Sequence, residues 1–217
     1  MAGSYRRVGM MLLATNPAEA LETYRKAFAL SSELNSADTL NVHHRSSVAD
    51  ALLGIGQALH RLGKKEEAIQ NLTHALELEK SIEAVAPERI FLLRTLSRTY
   101  MEIGNVLLDQ GEPPRALENY REGLAIAEKS LKRAPTSLNH EIDRGDLLQA
   151  QGRCYLTLAG KPGTMQARRS ELKREASSFF KKELGIWRDW TRRKVAAPYA
   201  GRREAQALAY LAACDQP

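Results

Sequence analysis

The stretch Leu52-Leu53-Gly54-Ile55-Gly56-Gln57-Ala58-Leu59-His60-Arg61-Leu62-Gly63 decides the fold, because its frame returns 48 residues later. Leu52, Ile55, Gly56, Leu59 and Gly63 are answered by Tyr100, Ile103, Gly104, Leu107 and Gly111, and in part by Leu148, Gly152 and Tyr155. Ala20, Ala68 and Ala116 keep the same interval. Self-similarity at a fixed period marks a stacked repeat, in which each unit buries its apolar face against its neighbour.

Within the quoted copy, Val48, Leu52, Ile55 and Leu59 recur at spacings of three and four, which puts them on one face of a helix over 46–62. Gly63 ends that helix, since glycine accepts the left-handed conformation that closes a helix C-terminus. The chain restarts at Lys64, and Ala68, Leu72, Ala75, Leu76 and Leu78 form the inner face of a second, antiparallel helix. The next copy repeats this with Gly111, a proline-led helix start at 112–114, and Ala116, Tyr120, Gly123 and Leu124. Gly56, Gly104 and Gly152 fall mid-helix, where glycine costs about 1 kcal/mol against alanine. Close approach of the second helix, with Ala68 or Ala116 against the notch and Leu72 or Tyr120 one turn on, offsets that cost.

Composition agrees. Aromatics are 6% of the chain and β-branched runs are absent, while Ala, Leu, Glu, Lys and Arg favour helix, so the expected class is all-α. The units fall at about 4–36, 38–84, 87–133 and 137–195. In the fourth, the alanine due near 164 is Ala176, about a dozen residues late, with a loop-like insertion near 160–168. The last long helix then starts at Ala167 or Arg168, with Leu172, Ala176, Phe179, Phe180, Trp187 and Trp190 on its apolar face. A final helix over 202–214 caps the stack through Ala205, Leu208, Ala209, Leu211 and Ala212. Only about ten residues precede the turn at Asn16 and Pro17, which fits either a shortened cap or a piece of a longer polypeptide.

These residues resemble the tetratricopeptide repeat family. The resemblance rests on Leu52 to Leu59, Gly63, Ala68, Leu72 and Ala75, matched by Tyr100 to Leu107, Gly111, Ala116 and Tyr120, and covers about 4–190. It implies an antiparallel helix-hairpin solenoid wound as a right-handed superhelix. Its period of 48 replaces the usual 34, adding about two turns to each helix. The resemblance also implies a concave groove for a partner peptide. Projected onto this chain, the groove is lined by Asp50, Gln57, His60, Arg61, Arg94, Arg98, Glu102, Asn105, Gln149 and Arg153. The clamp that some family members use for a C-terminal carboxylate is incomplete, since Asn105 matches but Met101 stands in the lysine position. Arg94 and Arg98 still favour an acidic peptide, against the competing reading of an ordinary solvated helix face. Runs 96–111 and 115–127 and the Trp187 to Trp190 segment are similar to the C-terminal regions of bacterial serine/threonine protein kinases. That likeness implies a sensor or substrate-docking region without kinase motifs of its own.

No catalytic set emerges. Gly54-Ile55-Gly56 lacks the third glycine and the preceding strand of a dinucleotide loop, so packing explains it. His43 and His44 point about 100° apart on a helix, and His60, His74 and His140 have no ligand at the fourth residue on, so neither metal nor cofactor is expected. Cys154 and Cys214 share no metal or redox spacing; reduced thiols are the expectation and a disulfide the alternative. Arg6 and Arg7 ahead of Val8 faintly resemble a secretory signal, but the apolar core is short and no cleavage site follows. A cytoplasmic protein without membrane spans is expected. Between Lys161 and Arg203 thirteen basic residues face four acidic ones, +9 locally, whereas the whole chain is +6 and the rest therefore −3. Such asymmetry fits an acidic protein partner or nucleic acid. The aromatics there fall at core intervals instead of forming stacking platforms, which disfavours nucleic acid. A non-catalytic protein-interaction scaffold is the leading expectation.

Overall fold

The computed structural model describes residues 1–216, and among them it contains nine α-helices and no strand. These are α1 (Ala2–Leu12), α2 (Pro17–Ala37), α3 (Val42–Arg61), α4 (Lys65–Val85), α5 (Ile90–Asp109), α6 (Pro113–Arg133), α7 (Leu138–Ala159), α8 (Gln166–Arg192) and α9 (Ala197–Asp215). Helices α2, α4 and α6 begin 48 residues apart, and so do α3, α5 and α7. The period is thus set by helix starts. Asn16 accepts a hydrogen bond from the Glu19 amide at 3.2 Å ahead of Pro17, and Pro113 opens α6, where its missing amide proton is not needed. At the other ends Gly63 and Gly111 hold φ of +76° and +82°, conformations open to glycine and costly for residues with a Cβ.

The chain forms two compact units, Met1–Gln110 and Gly111 onward. In the first, each helix packs on the next in sequence, and α3 also touches α1 and α5. In the second, α6, α7, α8 and α9 pack in chain order. Ala20, Ala68, Ala116 and Ala176 are fully buried.

The glycine notches are filled by larger groups than the small-against-small expectation supposes. A Cβ on Gly56 would lie 2.5 Å from Leu72 Cγ, while the nearest atom of Ala68 is its carbonyl oxygen at 3.4 Å. A Cβ on Gly54 would enter the Tyr24 ring of α2. The two glycines therefore seat α3 against helices on two sides. On α7, Gly145 and Gly152 receive the rings of Trp187 and Phe180 of α8, with Cβ approaches of 2.5 and 2.6 Å.

Several expectations need correction. Helix α3 starts at Val42, where Asn41 caps the amides of His43 and His44, earlier than residue 46. On α4 the buried row is Ala68, Leu72, Ala75, Glu79 and Ile82, with Leu76 and Leu78 only partly covered. The row keeps strict helical spacing and takes a glutamate into the core slot. In the fourth unit, α8 starts five residues late against the period and Ala176 twelve, so about seven inserted residues are helix, two extra turns at the α8 N-terminus. Helix α9 starts at Ala197 and buries Ala200, Ala207 and Cys214, with Tyr210 and Leu211 against the core, whereas Ala205, Leu208, Ala209 and Ala212 are exposed. An alanine-rich helix offers little contrast between faces, and its neighbours choose the one that is buried.

Candidate functional site

In the first unit a cleft of about 750 Å³ opens between the N-terminal ends of α1, α3 and α5 and the C-terminal half of α2. A smaller one of about 200 Å³ continues from it and shares Arg6, Asp50 and Phe91. Its floor is Tyr24, seated by Gly9 and Gly54 and pushed above its ordinary pKa by burial. Its walls carry Arg6, Arg7, Arg94 and Arg98. Phe91 is 53% exposed at the junction of the two cavities, large for an aromatic side chain at the start of a packed helix.

The charge of this cleft is graded along α5. Arg94 and Arg98 stand one turn apart at the cleft, then Glu102 and Asp109 follow beyond it. Arg6 forms an ion pair with Asp50, which is buried. Burial above all, and the neighbouring Arg7 and Arg98, lower the Arg6 pKa from its ordinary value; four arginines and the Asp50 carboxylate line this cleft. Further along, Gln57 donates to Glu102 at 2.8 Å, Asn105 donates to the other oxygen of Glu102 at 3.2 Å, and His60 pairs with Asp109 at 2.9 Å. Arg61 is exposed next to them.

Eight of the ten residues projected onto a groove thus fall in the first unit. Asp50, Arg94 and Arg98 line the cleft itself, with Gln57 at its edge. Glu102, Asn105 and His60 belong to a hydrogen-bonded row joining α3 to α5. The two in the second unit diverge. Arg153 is exposed, while Gln149 turns inward and donates to Glu183 of α8 at 3.1 Å. Glu183 is fully buried, and one of its oxygens also accepts from Trp187 Nε1 at 3.0 Å and from Arg203 at 3.1 Å. Burial raises the Glu183 pKa above the ordinary carboxylate range, and these hydrogen bonds oppose the rise. Arg203 in turn pairs with Asp146, and its guanidinium lies 4.7 Å from the Trp187 ring centre. Burial works against its charge, but Asp146 more than compensates and its pKa is raised.

Arg6, Arg7 and Phe91 carry no mark of a binding site in the sequence. In the sequence the first two resemble only the basic start of a secretory signal, and their neighbours on α3 and α5 lie more than forty residues away. Both cysteines are free and buried, and burial pushes Cys154 up to about 11, far from thiolate reactivity. No group of metal-ligating side chains occurs among the described residues, and no described helix is long and apolar enough to cross a membrane.

Models of the tetratricopeptide repeat match residues 49–82 and 96–137. Over 148 residues it is 32% identical to the outer dynein arm-docking complex subunit 4 of Xenopus laevis; that covers 68% of this chain and spans about a quarter of the relative, 24% of its length. Similar solved structures include a thermophilic tetratricopeptide repeat protein of Thermus thermophilus, 15% identical with a TM-score of 0.41 over 96% of this chain and 99% of the other. BtubC of P. vanneervenii is 13% identical with a TM-score of 0.46 over 98% and 86%.

Proposed function

We propose that the protein is a non-catalytic interaction scaffold whose first unit holds an acidic segment of a partner protein in the cleft between α1, α3 and α5. The observation that carries this reading is the convergence of Arg6, Arg7, Arg94 and Arg98 from two helices around a cleft with an exposed phenylalanine at its centre. Arginine forks match carboxylates in two-point contacts, and an aromatic ring beside them supplies apolar area at low entropic cost. The repeats support it, as does the likeness to a relative named as a docking-complex subunit.

The test uses the full chain with a photo-crosslinking phenylalanine analogue at position 91. Crosslinking to a discrete partner that is abolished by Arg94→Glu with Arg98→Glu, with the melting curve unchanged, supports the cleft. A partner crosslinked equally well by the reversed variant rules it out as the charge-reading surface.

A further inference from the structure

The cations along α8 and at its C-cap divide into two sets by whether a carboxylate of the chain answers them. Arg168 is answered by Glu171 at 2.6 Å, Arg188 by Glu204 at 3.2 Å, and Arg192 and Arg193 both by Asp189. Arg169, Lys173, Arg174, Lys181 and Lys182 pair with no carboxylate among the described residues. All five line one cleft of about 740 Å³, whose far wall is the C-terminal end of α9 and whose one acidic member among the described residues is Asp215. The Nε of Arg169 is buried there without a hydrogen-bond partner. Lys173 donates to the Gln216 carbonyl oxygen, but the like charges of the row still repel and lower stability, and a counter-charge from outside the chain would relieve that repulsion.

We infer that this row is a second docking surface, and that its occupant is an acidic helix of a partner protein. The cations recur along α8 with helical spacing: Arg169 and Lys173 four residues apart, Lys181 eight further on, with Arg174 and Lys182 beside them. Twelve residues of helix span about 18 Å. A helix with glutamates at every fourth position presents carboxylates with the same rise. Midway, the small side chains of Ser177 and Ser178 leave room for its approach. The two added turns at the α8 N-terminus, peculiar to this unit, carry the row out to Arg169.

Nucleic acid fits the surface less well. No aromatic ring lines the cleft on which a base could stack. Phe179 of the same helix is stacked on Tyr155 at 5.6 Å and covered by the Lys182 ammonium at 5.4 Å.

Fluorescence anisotropy of the full chain with a labelled helical peptide of about five turns, glutamate at every fourth position in an alanine and glutamine background, decides the matter. The expected result is binding at low salt that weakens steeply as salt is added. It should weaken by roughly tenfold or more in Lys173→Glu with Lys181→Glu. Arg188→Glu with Arg192→Glu, the same change in net charge at carboxylate-paired positions outside the cleft, should leave it unchanged. No binding at low salt, equal loss in both double variants, or displacement of the peptide by a lower concentration of duplex or single-stranded DNA would each overturn the inference. If the reversed variant melts early, Lys173→Gln with Lys181→Gln takes its place and the same ordering of affinities applies. Because this surface lies wholly in the second unit, its failure leaves the cleft of the first unit untouched.

Discussion

Helices α3 and α7 occupy equivalent places in the repeat, yet their small residues serve different ends. On α3, Gly54 and Gly56 are two residues apart and admit side chains from two different helices, Tyr24 of α2 and Leu72 of α4. On α7, Gly145 and Gly152 are two turns apart and admit two rings of the same helix, Trp187 and Phe180 of α8. The arginines near them diverge accordingly. Around α3 they line an open cleft in which Arg6 is paired with Asp50 and Arg7 is exposed, whereas near α7 Arg203 is folded over Trp187 and fastened to both Asp146 and Glu183. A repeat fixes where helices start and cross. Whether a charged side chain becomes an internal tie or a binding group depends on what its neighbours leave uncovered.

The sharpest way to break this contrast is to remove one arginine of each kind. Arg203→Ala leaves Glu183 buried without its cation and should cost roughly 3 kcal/mol in urea unfolding. Arg7→Ala, at an exposed cleft position, should stay within about 0.5 kcal/mol. Similar losses for the two would show that the division into tie and surface is wrong.

Next in size is a pH effect in the first unit. Glu79 of α4 is fully buried, and burial pushes it up to about 8, well above an ordinary carboxyl. Its carboxyl lies 3.0 Å from Thr99 Oγ1, which is also 3.1 Å from the Thr95 carbonyl oxygen. One hydroxyl proton cannot serve both, but a protonated Glu79 can donate to Thr99 while Thr99 donates to Thr95. The folded chain therefore keeps a proton that the unfolded chain loses near pH 4.5. Stability from this group is fully present below that pH and is lost as pH rises to about 8. Glu79→Gln, which cannot ionise, should match the parent in acid and exceed it by on the order of 2 kcal/mol at pH 8. Parallel stability curves for the two proteins across this range would show that Glu79 does not hold its proton.

The smallest effect distinguishes the glycines. Gly54→Ala gains about 1 kcal/mol of helix propensity but drives a methyl into the Tyr24 ring, a clash costing about 1–3 kcal/mol, so a net loss of about 1 kcal/mol is expected by thermal melting. Gly185→Ala on α8, where a Cβ meets nothing within 4 Å, should instead be stabilising. A stabilised Gly54→Ala would mean that Tyr24 can withdraw and that the cleft floor is soft.

Much of the frame could be read in advance, for reasons visible at single residues. Gly63 and Gly111 mark helix ends because few other residues take their backbone angles, and Pro17 and Pro113 mark starts because proline lacks the amide proton that a helix interior requires. The burial of Glu79 could not be read, because the carboxyl becomes acceptable in the core only once Thr95 and Thr99 of α5 stand opposite. Nor could the buried face of α9, where alanines lie on every side. Of the residues projected onto the groove, Arg94 and Arg98 reach the cleft, while Gln149 goes to the interior because Glu183 faces it.

By itself the sequence determined the number and phase of the helices, since caps, breakers and periodic apolar residues act within a few residues of where they stand. The tertiary structure alone decided which charges meet: Arg6 finds Asp50 and Arg203 finds Asp146 and Glu183, while five cations of α8 find no carboxylate among the described residues. Coulomb interactions depend on distance through space, and the packing of helices far apart in the chain sets that distance.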